Sequence, residues 1–199
     1  FGGLLAQGVT QATTKAVSEF RQNYLSELIK RSDGNSLITD KMPQNFRYIP
    51  LICSAFPEAK IIHVQRDAAA TCWSNYKHYF PASGLGYCYD LKDVTAYYAL
   101  YSDFMQFLQT SYGDRIYHLN YEKLTTDPDA ESRNLIQYLE LEWENACLSP
   151  QANKRIVRTA SQHQVRKKIY QGSSQQWRKY ELLLNGAFDK LMGFKERSR

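Results

Sequence analysis

The chain has 199 residues, with 25 basic and 20 acidic side chains, 43% hydrophobic and 23% charged residues. These are globular proportions on a length that suits one domain, and they exclude disorder, a collagen-like repeat and a disulfide-stapled miniprotein. No window nears the roughly 20 apolar residues of a membrane span, and no charged region followed by an apolar run opens the sequence.

The lead-in through Gln11 has turn residues and no period. From Ala12 to about Arg31, the residues Ala16, Val17, Phe20, Tyr24, Leu25, Leu28 and Ile29 recur at three- and four-residue steps, which predicts an amphipathic helix stopped by Ser32-Asp33-Gly34. Ser36 to Lys41 is a β-prone run closed by Pro43, and Asn45 to Phe56 suits a short helix. Lys60 to Arg66 reads as an apolar strand ending in a charge, with Asp67 capping a helix over Ala68 to Phe80 and a loop from Pro81 to Gly86. Leu91 to Thr110 is a further helix, Arg115 to Tyr121 a third strand, and Thr126-Asp127-Pro128 opens a helix over Asp129 to Leu139 that ends by Trp143. Three β-prone runs alternating with helices predict an α/β fold with a parallel sheet sandwiched between helices.

Cys53, Cys72, Cys88 and Cys147 are too widely spaced for a metal knuckle and too few for a secreted scaffold, so a reducing compartment, the cytoplasm, is expected. His63, His78, His118 and His163 form no chelating pair at helical spacing, and metal catalysis has no support. Residues 151–180 hold eight basic side chains and no acid, leaving 17 basic and 20 acidic ones elsewhere. Such a segment is the footprint of a phosphate or polyanion ligand, or else a solvated face, and composition does not choose between them.

Ligands of parallel sheets sit at the carboxyl ends of the strands. Lys41, Arg66 and Tyr121 follow the three runs, which would gather an ammonium, a guanidinium and an aromatic ring along one rim. Ser74 lies eight residues beyond Arg66, so the strand-end arginine and the helix hydroxyl can hold one phosphate together. The same spacing also suits an Arg66–Asp67 ion pair with Ser74 merely exposed.

On these residues the chain resembles the PAPS-dependent sulfotransferases. Lys60 to Tyr76, KIIHVQRDAAATCWSNY, is similar to the family segment that binds the 3′-phosphate of 3′-phosphoadenosine 5′-phosphosulfate (PAPS), with Arg66 at the strand end and Ser74 eight residues on. Tyr121-Glu122-Lys123-Leu124, with Asp127-Pro128, resembles the family's Tyr-Glu-Asp-Leu motif, which implies Tyr121 against the adenine. Asp40-Lys41-Met42-Pro43 approximates the Asn-Lys-Asp-Pro of the tyrosylprotein sulfotransferases and their bacterial relatives, which implies Lys41 as the catalytic residue stabilising transition-state charge. Gln164 to Trp177 is similar in spacing to the tyrosylprotein C-terminal nucleotide clamp: Lys167 matches its phosphate lysine, and Thr159 and Ser161 fall near its hydroxyl-rich turn. Lys168 stands where a proline is usual.

The resemblance implies a three-layer, P-loop-NTPase-like sulfotransferase fold over residues 1–199, with PAPS as sulfuryl donor and PAP as product. The family's Gly-x-Pro-Arg-Ser-Gly-Thr-Thr loop does not occur in the chain; it and the general-base glutamate are expected upstream of Phe1, with the chain a piece of a longer protein. Sulfuryl transfer is catalysed largely by positioning and charge stabilisation, as phosphoryl transfer is. The acceptor hydroxyl stays open between protein tyrosine, carbohydrate and a small molecule, and nothing in the sequence establishes a homodimer. A non-catalytic PAP-binding relative is the second reading. A nucleic-acid-binding basic module is third, because the 151–180 segment lacks the interleaved aromatic residues of a stacking platform.

Overall fold

The computed structural model describes residues 13–32, 34–80, 84–153 and 168–195. The chain begins with helix α1 (Thr14–Arg31), whose first turn is capped by the Thr13 hydroxyl accepting from the amide of Ala16. Its half-buried stripe runs through Ala16, Val17, Phe20, Arg21, Tyr24, Leu25 and Leu28, the spacing of a single helix face. Phe20 and Tyr24 pack on Phe56, and Arg21 grips Glu58 through both guanidinium ends (2.6 and 3.0 Å) while donating to the carbonyl of Ala55 at 2.7 Å.

A 3₁₀ stretch (Pro43–Tyr48) leads into α2 (Ile49–Ala55), so the single helix expected over 45–56 is built of two kinds of turn. Strand β1 (Ile61–Gln65), α3 (Ala68–Tyr76), α4 (Leu91–Tyr112) and β2 (Ile116–Asn120) follow. Two short helices, α5 (Tyr121–Thr126) and α6 (Pro128–Tyr138), come directly after β2. Each helix that leaves a strand is started by a side-chain cap: Asp67 accepts from Ala70 N, Asn120 from Lys123 N, and Asp127 from Ala130 N with Pro128 behind it. The caps turn the backbone sharply, so strand ends and helix starts share one rim.

The two strands pair in parallel, Ile61 opposite Ile116 through Gln65 opposite Asn120. The third run, Ser36 to Lys41, is a correction to the sequence reading. It forms no strand and is unpaired among the described residues, with Leu37 68% and Ile38 41% exposed, because no described strand lies alongside it to take its backbone groups. The described sheet therefore has two strands.

One face of the sheet packs on α2 and α4, where Ile49, Cys53, Met105, Leu108 and Ile116 form a buried cluster. On the other, Tyr138 of α6 stacks on Tyr117 and donates its hydroxyl to the carbonyls of Ile61 and Arg115. Ile62 and Val64 of β1 stay 38% and 55% exposed on that face. A second cluster joins α3 to the C-terminal segment. Ala68, Ala69 and Ala70 carry nothing beyond Cβ, so Trp177, Leu184, Phe188 and Leu191 come close to the first turn of α3.

A polar chain runs through the α4-facing side of the sheet. His118 Nε2 is 2.6 Å from Gln109 Oε1, His63 Nδ1 is 3.0 Å from His118 Nδ1, and His63 Nε2 meets the Tyr101 hydroxyl. With both rings neutral, as burial favours, and Gln109 Oε1 as acceptor, the proton positions follow one after another. His118 carries its proton on Nε2 and accepts on Nδ1, His63 donates from Nδ1 and accepts on Nε2, and Tyr101 donates. Burial, with the adjacent His118, pushes His63 down to about 4, burial also lowers His118, and burial pushes Tyr101 up to about 12. Among the described residues no helix is long and apolar enough to cross a membrane.

Two outcomes are expected. A histidine depressed from 6.5 to about 4 contributes stability that is complete above about pH 6.5 and is lost as pH falls toward 4, on the order of 3 kcal/mol. Urea denaturation at pH 7 and pH 4.5 measures this, and His63→Gln flattens the dependence. Trp177→Ala opens a cavity beside α3 and lowers unfolding free energy by about 3–5 kcal/mol in the same assay.

Candidate functional site

The in-register pairing of Gln65 with Asn120 places the next residue of each strand, Arg66 and Tyr121, side by side at the carboxyl rim. The Arg66 guanidinium lies over the Tyr121 ring, 5.0 Å from its centroid, a cation–π arrangement. The C-terminal segment closes over this pair. Gly172 turns with φ +87°, and Ser173 and Ser174 begin a run of 3₁₀ turns reaching Leu184 that is anchored by buried Trp177.

Ser174 Oγ accepts from Arg66 Nε at 3.1 Å, and the carbonyl of Ser173 accepts from Nη2 at 3.0 Å. The hydroxyls of Tyr121 and Ser173 are 2.9 Å apart. Ser174 Oγ donates to Glu122 Oε1 at 2.6 Å, and the same carboxylate oxygen accepts the amide of Asp67 at 3.1 Å. One half-buried cluster thus draws on the residues after β1, the residues after β2 and the turn at 172–174. Among the described residues, Arg66 Nη1 makes no hydrogen bond and remains available to a ligand.

Of the other expected site residues, Ser74 and Lys41 lie among the described residues. Ser74 lies on the second turn of α3, half-buried, its carbonyl accepting from His78 Nδ1 at 2.7 Å. Lys41 is exposed in the stretch before Pro43, and no hydrogen bond or ion pair among the described residues ties it to Arg66. That stretch is fixed from α1, where the Tyr24 hydroxyl donates to Asp40; burial first, then this bond, pushes Tyr24 up to about 12. Thr159, Ser161 and Lys167 lie outside the described residues.

Sequence reasoning assigned no role to Glu122, Ser173 or Ser174. Glu122 stood inside the Tyr-Glu-Lys-Leu motif, and Gly172-Ser173-Ser174 preceded Trp177 as a helix-start pattern. Both signals were present, but only long-range contacts reveal that they meet.

The geometry agrees with comparisons to known proteins. Residues 4–145 match the model of the sulfotransferase family. An uncharacterized protein of Aquifex aeolicus (strain VF5) is 34% identical over 193 residues, covering 96% of this chain and 25% of that protein. Protein-tyrosine sulfotransferase 1 of Danio rerio is 23% identical over 143 residues, covering 68% of this chain and 38% of that protein. The chain thus spans between a quarter and two-fifths of the length of these relatives. The family match over most of the chain shows that the chain belongs to the sulfotransferase family.

Proposed function

We propose that this chain is a single sulfotransferase domain, of three-layer, P-loop-NTPase-like architecture, that binds PAPS and directs its sulfuryl group to an acceptor hydroxyl. The observation that carries the reading is the Arg66–Tyr121 pair: a guanidinium with an end free of protein partners among the described residues, beside an aromatic ring at the rim where parallel sheets take ligands. A phosphate and a purine need that combination, a forked charge-assisted donor and a flat apolar face.

In this reading Arg66, Ser74 and Lys167 bind the 3′-phosphate, Tyr121 borders the adenine, and Thr159 and Ser161 belong to the clamp that holds the cofactor. These contacts supply affinity and register rather than acting at the reacting sulfur. PAPS when bound supplies the sulfuryl group and a phosphate leaving group. Lys41 is the catalytic residue, its ammonium placed to offset charge growing on the oxygen that leaves; a compact charge on a flexible stem suits that role. Tyr24, by holding Asp40, keeps the backbone of this stretch against α1.

The resemblance to a protein-tyrosine sulfotransferase supports tyrosine as the acceptor. Four free cysteines, three of them buried, agree with a cytoplasmic setting.

Isothermal titration with PAP tests the reading. The protein is expected to bind one PAP saturably, and Arg66→Ala to weaken binding about 10- to 100-fold, the worth of charged hydrogen bonds. Binding that is unsaturable, or equal in Arg66→Ala, overturns it. In a longer protein that carries the expected phosphosulfate loop and general base, Lys41→Ala is expected to lower kcat for sulfuryl transfer by about 10²-fold or more while PAP affinity stays within about twofold.

A further inference from the structure

The contacts behind Arg66 have a direction that fixes how the guanidinium is presented. Ser174 has one hydroxyl proton. At 2.6 Å that proton goes to Glu122 Oε1, because an ionised carboxylate only accepts. The Ser174 oxygen then offers lone pairs, and it accepts the N–H of Arg66 Nε at 3.1 Å. Glu122 Oε1 also takes the backbone N–H of Asp67, so the carboxylate is braced against the first residue after Arg66 itself.

The side edge of the guanidinium, Nε and Nη2, is engaged by Ser174 and by the carbonyl of Ser173. Of the five N–H groups of an arginine, two are occupied in this way. Both Nη1 hydrogens and one on Nη2 have no partner among the described residues. The ring of Tyr121 lies beside the guanidinium, whose carbon is 5.0 Å from the ring centroid.

We infer that Glu122, acting through Ser174, is the positioning residue that locks Arg66 with its Nη1 end toward the ligand, so that an anionic phosphoryl group is held end-on. The inference rests on the proposed PAP-binding reading for the identity of that anion, while the orientation of Arg66 stands on the contacts alone. Glu122 does not touch the ligand. It orients the group that does, and it contributes through ligand affinity rather than through the chemical step.

The experiment compares wild type, Ser174→Ala, Glu122→Ala and Glu122→Gln, each checked for folding by circular dichroism. The first readout is the ¹H–¹⁵N signal of Arg66 Nε–H and its exchange with water, assigned by its loss in Arg66→Lys. The second is PAP affinity by titration. A slowly exchanging signal is expected in wild type and fast exchange in Ser174→Ala and Glu122→Ala, with PAP bound about five- to tenfold more weakly in both. Glu122→Gln keeps an acceptor oxygen for Ser174 and Asp67, and is expected to retain the protected signal and to bind PAP within about threefold of wild type.

Equal protection in wild type, Ser174→Ala and Glu122→Ala overturns the positioning role whatever PAP does. So does a Glu122→Gln variant as weak as Glu122→Ala, which would make the carboxylate a bulk charge effect. Should wild type show the protected signal and its loss in Ser174→Ala yet bind no PAP, the nucleotide reading falls while the orienting role of Glu122 and Ser174 stands.

Discussion

Gln65 faces Asn120 across two parallel strands, and that register decides what the rest of the molecule can do. Side chains alternate along a strand, so a slip of one residue would turn Arg66 away from Tyr121 and exchange the inward and outward faces of β1. A two-stranded sheet is marginal alone. Its register is held by the apolar cluster under it, by Tyr138 bonding to carbonyls of both strand starts, and by the histidine pair joining the strands at their midpoint. The His63–His118 contact is unusual in joining equivalent ladder positions, so it reads register directly.

From that rim the cluster grows outward in two layers. Arg66 and Tyr121 come from the strand ends, and the turn at 172–174 brings a carbonyl and two hydroxyls against them from 52 residues beyond Tyr121 and more than a hundred beyond Arg66. Trp177, buried against Phe188, anchors that turn, and the small alanines of α3 make room for it. The apolar packing of the C-terminal segment and the polar contacts around Arg66 are therefore parts of one closure.

Much of this was legible in the chain. The apolar spacing of α1, the caps Asp67 and Asp127, and the runs around Ile61 and Ile116 announce their elements, because each signal is local. Arg66 and Tyr121 were legible as strand-end residues for the same reason. The run at Ser36 misled, since β-propensity reports fitness for a pleated surface and says nothing about whether a neighbour is present. Glu122, Ser173 and Ser174 were hidden for a related cause: their partners are 52 and more residues distant, and a serine after a glycine has the same spelling whether it starts a turn or holds an arginine. The histidine chain was hidden for the same cause, since the partners of His63 are on other elements.

Gly172 sits at φ +87° with open space around its α-carbon. A side chain there would meet no neighbour among the described residues and would still cost about 1–2 kcal/mol, since L-residues resist the left-handed region. Relaxing that strain rotates the backbone just before Ser173. A substitution at this exposed glycine would then surface as a loosened grip on Arg66, a change at the strand rim caused by a residue whose own side-chain position touches nothing there.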